Sequence, residues 1–254
     1  MGLQRLEDTS KVREIFAGWE DTCVWSCQQK VMGAIFVTDT EAPKSAIAVV
    51  GCFAFCAGEP DRELLEGKPA GFFIMVPENE AWSALLEECF PDCKRVTRYA
   101  IRKDTQFDRA RLEQYRQMLP DGYELRKIDG ELYDLCLTDP ETASFVACFD
   151  SKEQFLTLGR GFVILREGRI VSGASSYSRY LEGIEVEVAT VREERQKGLA
   201  RVCCAALILQ CLSEGLYPSW DAHNPISVHL AETLGYKFSH EYPAYEVDST
   251  WRTH

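Results

Sequence analysis

Strict alternation of apolar and polar residues in "GIEVEVATV", residues 183–191, predicts a half-buried strand. A polar turn follows, and then an apolar run through "LARVCCAALILQCL" that predicts a helix from about residue 197 to 214. Upstream, "YELRKI" (123–128), "GFVILREG" and "RIVSGASSYSRY" predict strands, the last two joined by the hairpin signal Glu167-Gly168. "DGELYDLCL" has helical spacing after Asp129, an N-cap candidate, and "SKEQFLTLG" (151–159) is a short helix bounded by Ser151 and Gly159. Downstream come the strand "YPSWDA", the helix "PISVHLAETLG" with Pro225 in its first turn and Gly235 at its end, and the strand "YKFSHEYPAYEV". The predicted order over residues 122–247 is β-α-α-β-β-β-α-β-α-β.

The first half is also mixed. "VMGAIFVTD", "AIAVVGCFAFCAG", "AGFFIMVP" and "KRVTRYAIRKD" predict strands, and "ENEAWSALLEECF" a helix. "TQFDRARLEQYRQML" predicts an amphipathic helix capped by Thr105 or Asp108, and Pro120-Asp121-Gly122 marks a turn. The chain is therefore predicted as α/β with mixed sheets, divided into residues 1–121 and 122–254.

Composition narrows the class. With 254 residues, 46% hydrophobic and 27% charged, the chain matches a water-soluble globular protein with room for one large or two small domains. A net charge of −12 argues against nucleic acid as a partner and suits a cationic amine. No apolar run approaches the ~20 residues of a membrane span, and the first residues lack the apolar core of a signal peptide. The expectation is a cytoplasmic protein with no membrane partner. Eleven cysteines include the pairs Cys23/Cys27, Cys52/Cys56 and Cys89/Cys93, each spaced C-x-x-x-C, with only four histidines in the chain. That spacing fits structural zinc poorly and predicts reduced, free thiols and no metal.

The chemistry concentrates at the strand–helix junction Arg195-Gln196-Lys197-Gly198-Leu199-Ala200, an R-x-x-G-x-A pattern. The first amides of a helix have no intrahelical partner, and the dipole leaves positive charge there, so such a junction binds anions. Gly198 removes a β-carbon where a ligand must approach, Ala200 keeps the next contact small, and Arg195 and Lys197 add charge. This pattern resembles motif A of the GNAT superfamily of acyl-CoA N-acyltransferases, written Q/R-x-x-G-x-G/A. The element order of residues 122–247 also resembles the GNAT core. A second signature agrees: "WDAHNPIS" places Asn224 and Ser227 after the next strand, and Gly235-Tyr236 closes the following helix. The first half, with no such loop, is either a degenerate copy of this fold or an unrelated cap. The whole organisation resembles bacterial GNAT proteins with an extra N-terminal domain, including zwittermicin-resistance-type acetyltransferases.

The resemblance implies transfer of an acetyl group from acetyl-CoA to a primary amine of a small molecule by direct attack in a ternary complex. The loop 195–200, with Leu199 and Ala200 opening the helix, would hold the diphosphate. Ala189, Thr190 and Val191 would bind the pantetheine and the acetyl oxygen, the Val191 amide being the expected oxyanion donor. Asn224 would bond the pantetheine arm, and Ser227 would serve the pantetheine or the thiolate. Glu185 and Glu187 share one face of the strand, with Glu187 the expected base and the N-terminal half shaping the acceptor site. A solvated, purely structural face is the competing reading. The position four before Gly235, where many family members have a Tyr acid, is Ala231 here. His229, Ser227, Tyr236 and Tyr245 remain candidates, or no acid is required. The alternative to an enzyme is a catalytically weak or inactive GNAT-like module that binds acyl-CoA.

Overall fold

The computed structural model, which describes residues 2–68 and 71–248, contains the same strand connectivity twice. Residues 1–98 with 241–254 form one unit and residues 99–240 the other.

The first unit runs β1 (Gln4–Arg5), α1 (Thr22–Gln28), β2 (Ala34–Val37), β3 (Ser45–Val50), β4 (Phe53–Gly58), α2 (Arg62–Glu66), β5 (Phe72–Pro77) and α3 (Glu80–Cys89). Strands β1 to β4 pair in antiparallel succession, and β4 pairs with β5 in parallel through the α2 crossover. Trp82 and Leu86 of α3 pack with Leu64, Met75 and Cys56 to form its core. Strand β6 (Lys94–Ile101) leads into the second unit.

The second unit continues with α4 (Arg109–Arg116), β7 (Glu124–Lys127), α5 (Gly130–Leu137), α6 (Pro140–Ala143), α7 (Lys152–Leu158), β8 (Gly161–Arg166), β9 (Arg169–Tyr180) and β10 (Gly183–Thr190). It closes with α8 (Leu199–Ser213), β11 (Tyr217–Ser219), β12 (Asp221–Ala222), α9 (Pro225–Leu234) and the start of β13 (Phe238–Asp248), whose Tyr245–Asp248 end pairs with β5. Here β7 to β10 pair antiparallel, and β10 pairs with β11 in parallel through the α8 crossover, repeating the first unit's order. Helix α8 is apolar over most of its surface, and Val202, Cys203, Cys204, Leu207 and Ile208 are all buried in one core, as a central helix requires.

Most predicted elements of the second half are present. Glu167 and Gly168 both have positive φ, +52° and +78°, the pair of left-handed residues a tight hairpin needs. Helices α1, α2 and α6 and strand β1 are additions to the sequence-based expectation, and three further differences bear on the site. "AIAVVGCFAFCAG" is not one strand but the β3–β4 hairpin, turning at Gly51 with φ +54°. "YPSWDA" is split at Trp220 into β11, which pairs with β10, and β12, which pairs with the Tyr99–Ala100 end of β6. Helix α4, capped by the Asp108 carboxylate on the Arg111 amide at 3.1 Å, packs Leu112 and Tyr115 against the α8 core. The two compact units meet at 98/99 and 240/241.

None of the eleven cysteines forms a disulfide among the described residues. Among the described residues no helix is long and apolar enough to cross a membrane, and no group of three His, Cys, Asp or Glu is placed to hold a metal.

Candidate functional site

Strand β10 has eight residues, but β11 stays beside it only from Gly183 to Glu185, opposite Tyr217 to Ser219. From Val186 to Thr190 it keeps β9 on one side and has no registered strand on the other. The chain leaves the pair at Trp220, whose buried indole donates to Ser227 Oγ at 3.1 Å. Backbone polarity along the open edge follows from two bonds. The Tyr217 amide donates to Glu182 O, and the Val191 amide donates to Val171 O on β9, at 2.8 and 3.0 Å. By alternation, the Val188 and Thr190 amides face the open edge. The Val191 amide that the sequence reading selects as oxyanion donor is already used by β9. Ala189 likewise turns its amide to β9.

Directly beyond the open edge, Gln196 and Gly198 adopt φ of +64° and +79° on either side of Lys197, which folds the loop back before α8 begins at Leu199. Of the nine α-helices among the described residues, eight have a side chain accepting from a first-turn amide: Asp21, Asp61, Asn79, Asp108, Asp129, Asp139, Ser151 and Asn224. Helix α8 has Gly198 at its N-cap and no such bond. Its first amides, those of Leu199, Ala200 and Arg201, are thus left without a partner from the helix or its cap. A β-carbon built on Gly198 would approach only Arg201 Nη2, at 3.6 Å, so the space above the loop is open. The Leu199 side chain is buried in the core and pins the helix start. An uncapped helix start, open space and an unpaired strand edge together fit an anion joined to an extended, hydrogen-bonding arm.

The loop's charges are arranged differently from the sequence expectation. Lys197 Nζ lies 2.7 Å from Glu194 Oε2, and Arg166 Nη1 lies 2.7 Å from Glu194 Oε1. Tyr123 donates its hydroxyl to the same carboxylate at 2.5 Å. Glu194 is only 8% exposed, and these bonds, led by Lys197, hold its carboxyl down to about 2. Lys197 therefore anchors the loop. Arg195 Nε donates to Thr190 O at 3.0 Å, tying loop to strand, while Thr190 Oγ1 lies 2.8 Å from Ser172 Oγ.

The remaining expected residues fall around this edge. Asn224 caps α9 by accepting from the Ser227 amide at 2.9 Å, which leaves its Nδ2 hydrogens for another acceptor. Glu185 is 8% exposed and Glu187 is half-buried. Both lie on the face of β10 opposite the one carrying Ile184 and Val186 into the α8 core. Two acid candidates are otherwise engaged: Tyr236 donates to Pro218 O at 2.6 Å in full burial, and Tyr245 donates to Glu87 at 2.9 Å. His229 is exposed.

The first unit lacks this site although it shares the connectivity. Its crossover helix α2 is capped by Asp61, which accepts from the Glu63 and Leu64 amides. Its β4–β5 pair stays closed from Phe53 to Cys56, extended by the Glu78 amide on Cys56 O.

The family model described as GNAT acetyltransferase matches residues 13–245. The chain is 27% identical to the uncharacterized N-acetyltransferase YdfB of Bacillus subtilis (strain 168), over 85% of this chain and 86% of that one. A GCN5-related N-acetyltransferase-like protein from Streptococcus suis 89/1591 superposes with a TM-score of 0.91 at 46% identity, covering 95% of this chain and 98% of its own. A tandem GNAT protein from the clavulanic acid biosynthesis pathway shares the fold, with a TM-score of 0.55 at 11% identity over 97% and 98% of the two chains. The chain belongs to the GNAT acetyltransferase family and is an acyltransferase enzyme.

Proposed function

We propose that this acyltransferase moves an acetyl group from acetyl-CoA to the primary amine of a small molecule by direct attack in a ternary complex. The observation that carries the proposal is α8, the one α-helix among the described residues with no side-chain cap, opening beside the unpaired edge of β10. The amides of Gly198, Leu199 and Ala200 with Gln196 and Arg195 hold the diphosphate, and Lys197 keeps the loop shaped for it. Asn224 Nδ2 and Ser227 serve the pantetheine arm. The Val188 and Thr190 amides, which face the open edge, supply the oxyanion and pantetheine donors. Acetyl-CoA brings the activated thioester; the chain's own residues align it and remove the proton from the amine.

Glu187 is the proposed base. It lies beyond the last β10–β11 pair, where the edge is open, and it is the more accessible of the two carboxylates. Glu185, buried at the pair's end, supports the negative field that favours an ammonium. The first unit binds no CoA, because Asp61 occupies its helix start. Thiol release from acetyl-CoA across a panel of primary amines, with mass spectrometry of the product, tests the proposal. Release that depends on one class of amine and yields the acetylated amine is expected. CoA binding without release for any amine would make the chain a binding module.

A further inference from the structure

Glu185 and Glu187 share the face of β10 turned away from the α8 core, and each has a serine beside it in register. Ser219 of β11 stands opposite Glu185, and Ser175 of β9 stands opposite Glu187. Register partners project to the same side of a sheet. Both serines are 0% exposed. Neither Oγ makes a hydrogen bond among the described residues. Aromatic rings bound this stretch at both ends. On the Gly183 side stands Tyr180, whose hydroxyl a β-carbon built on Gly183 would meet. On the Ala189 side Phe145 lies over Gly173, its ring 2.7 Å from where a β-carbon would stand.

A buried hydroxyl without a partner is costly, and here two of them each adjoin a carboxylate. A carboxylate only accepts, so the group that satisfies it together with the hydroxyl lone pairs is an ammonium, which offers three donors. Two residues along a strand span about 6.6–6.8 Å, a separation that two nitrogen atoms reach across a chain of four or five carbons. We infer that the acceptor is an aliphatic diamine: Glu187 and Ser175 receive the amine that reacts, and Glu185 and Ser219 hold a second ammonium that does not. The inference rests on the proposed acetyl-transfer reading and deepens it by naming the acceptor class. The reacting ammonium gives one proton to Glu187, and its nitrogen bonds the acetyl carbon as the carbon–sulfur bond breaks. A second proton neutralises the departing thiolate, giving CoA thiol and the acetamide. The other ammonium keeps its protons, so Ser219 determines specificity and touches no reacting atom.

Thiol release from acetyl-CoA tests it, with 1,3-diaminopropane, 1,4-diaminobutane, 1,5-diaminopentane, butylamine and 4-amino-1-butanol as acceptors. Wild type and S219A are compared, with thermal unfolding confirming that the variant is folded. Wild type is expected to favour the four- or five-carbon diamine over butylamine and the amino alcohol by about tenfold or more in kcat/KM. The three-carbon diamine should lose most of that preference. S219A should lower the ratio of diamine to butylamine roughly 10- to 100-fold, through KM for the diamine. A wild type that acetylates butylamine as well as any diamine overturns the inference and leaves the proposed function standing. So does a folded S219A with an unchanged ratio. Equal use of 4-amino-1-butanol and the diamines overturns it too, because the second position would then take a hydroxyl. Acetylation of other primary amines and of none in this set has the same consequence. CoA binding with no release for any primary amine overturns the proposed function itself.

Discussion

Glu185 stands opposite Ser219 at the last registered position of the parallel β10–β11 pair, and one residue later Trp220 carries the chain away to pair with a different strand. That single departure leaves five residues of β10 with an open edge. It also puts Glu187 at the open stretch and Glu185 at its closed end. Glu187→Gln is therefore expected to lower kcat by about 10²–10⁴, the usual contribution of a general base, with little change in CoA affinity. Glu185→Gln should be milder. Steady-state kinetics with pH profiles check this, and a Glu187→Gln enzyme with full kcat and an unshifted profile would assign the base elsewhere.

The Glu194 cluster makes a pH prediction. Its carboxyl is depressed to about 2 in the folded chain, chiefly by Lys197, with Tyr123 and Arg166 contributing. A depressed acid stabilises the fold above its unfolded value, about 4.3, and loses that contribution as pH falls toward 2. Lys197 is raised, so its share is present below about 10.4 and is lost as pH climbs through the folded value. The stability gap between wild type and Glu194→Gln should be flat between these limits and shrink at both ends. Chemical unfolding across pH measures it, and a gap that grows on acidification would contradict the assignment.

Leu112 tests where the second unit begins. It is 1% exposed and packs in the α8 core, so Leu112→Ala should destabilise residues 99–240 by about 2–5 kcal/mol. Hydrogen exchange should show increased opening in α8. Unchanged protection of α8 would return α4 to the first unit.

Much of this site was legible in the sequence, for local reasons. The hairpin at Glu167-Gly168, the caps Asp129 and Ser151, and the loop at Gly198 each depend on a few adjacent residues whose φ or side-chain chemistry permits one outcome. What the sequence hid was nonlocal. The Gly51 turn is masked because apolar residues flank it on both sides, so the hydrophobic run shows no break. Pro120-Asp121-Gly122 punctuates the chain strongly, yet Leu112 and Tyr115 before it pack on α8, and packing sets the unit boundary. Lys197 reads as a free cation until it meets Glu194 and Tyr123, and Arg166 joins them on the Glu194 carboxylate from the end of β8.

The central claim is that the start of α8 holds the diphosphate of CoA. Gly198 is left-handed at φ +79° with open space above it. Gly198→Val should cost about 1–3 kcal/mol for a β-branched residue in that conformation, leave the chain folded, and fill the space the ligand needs. Isothermal calorimetry of CoA against wild type and Gly198→Val is the most direct measurement. The account predicts one CoA bound per wild-type chain and none by the folded variant; equal binding by both, or no binding by wild type, would contradict it.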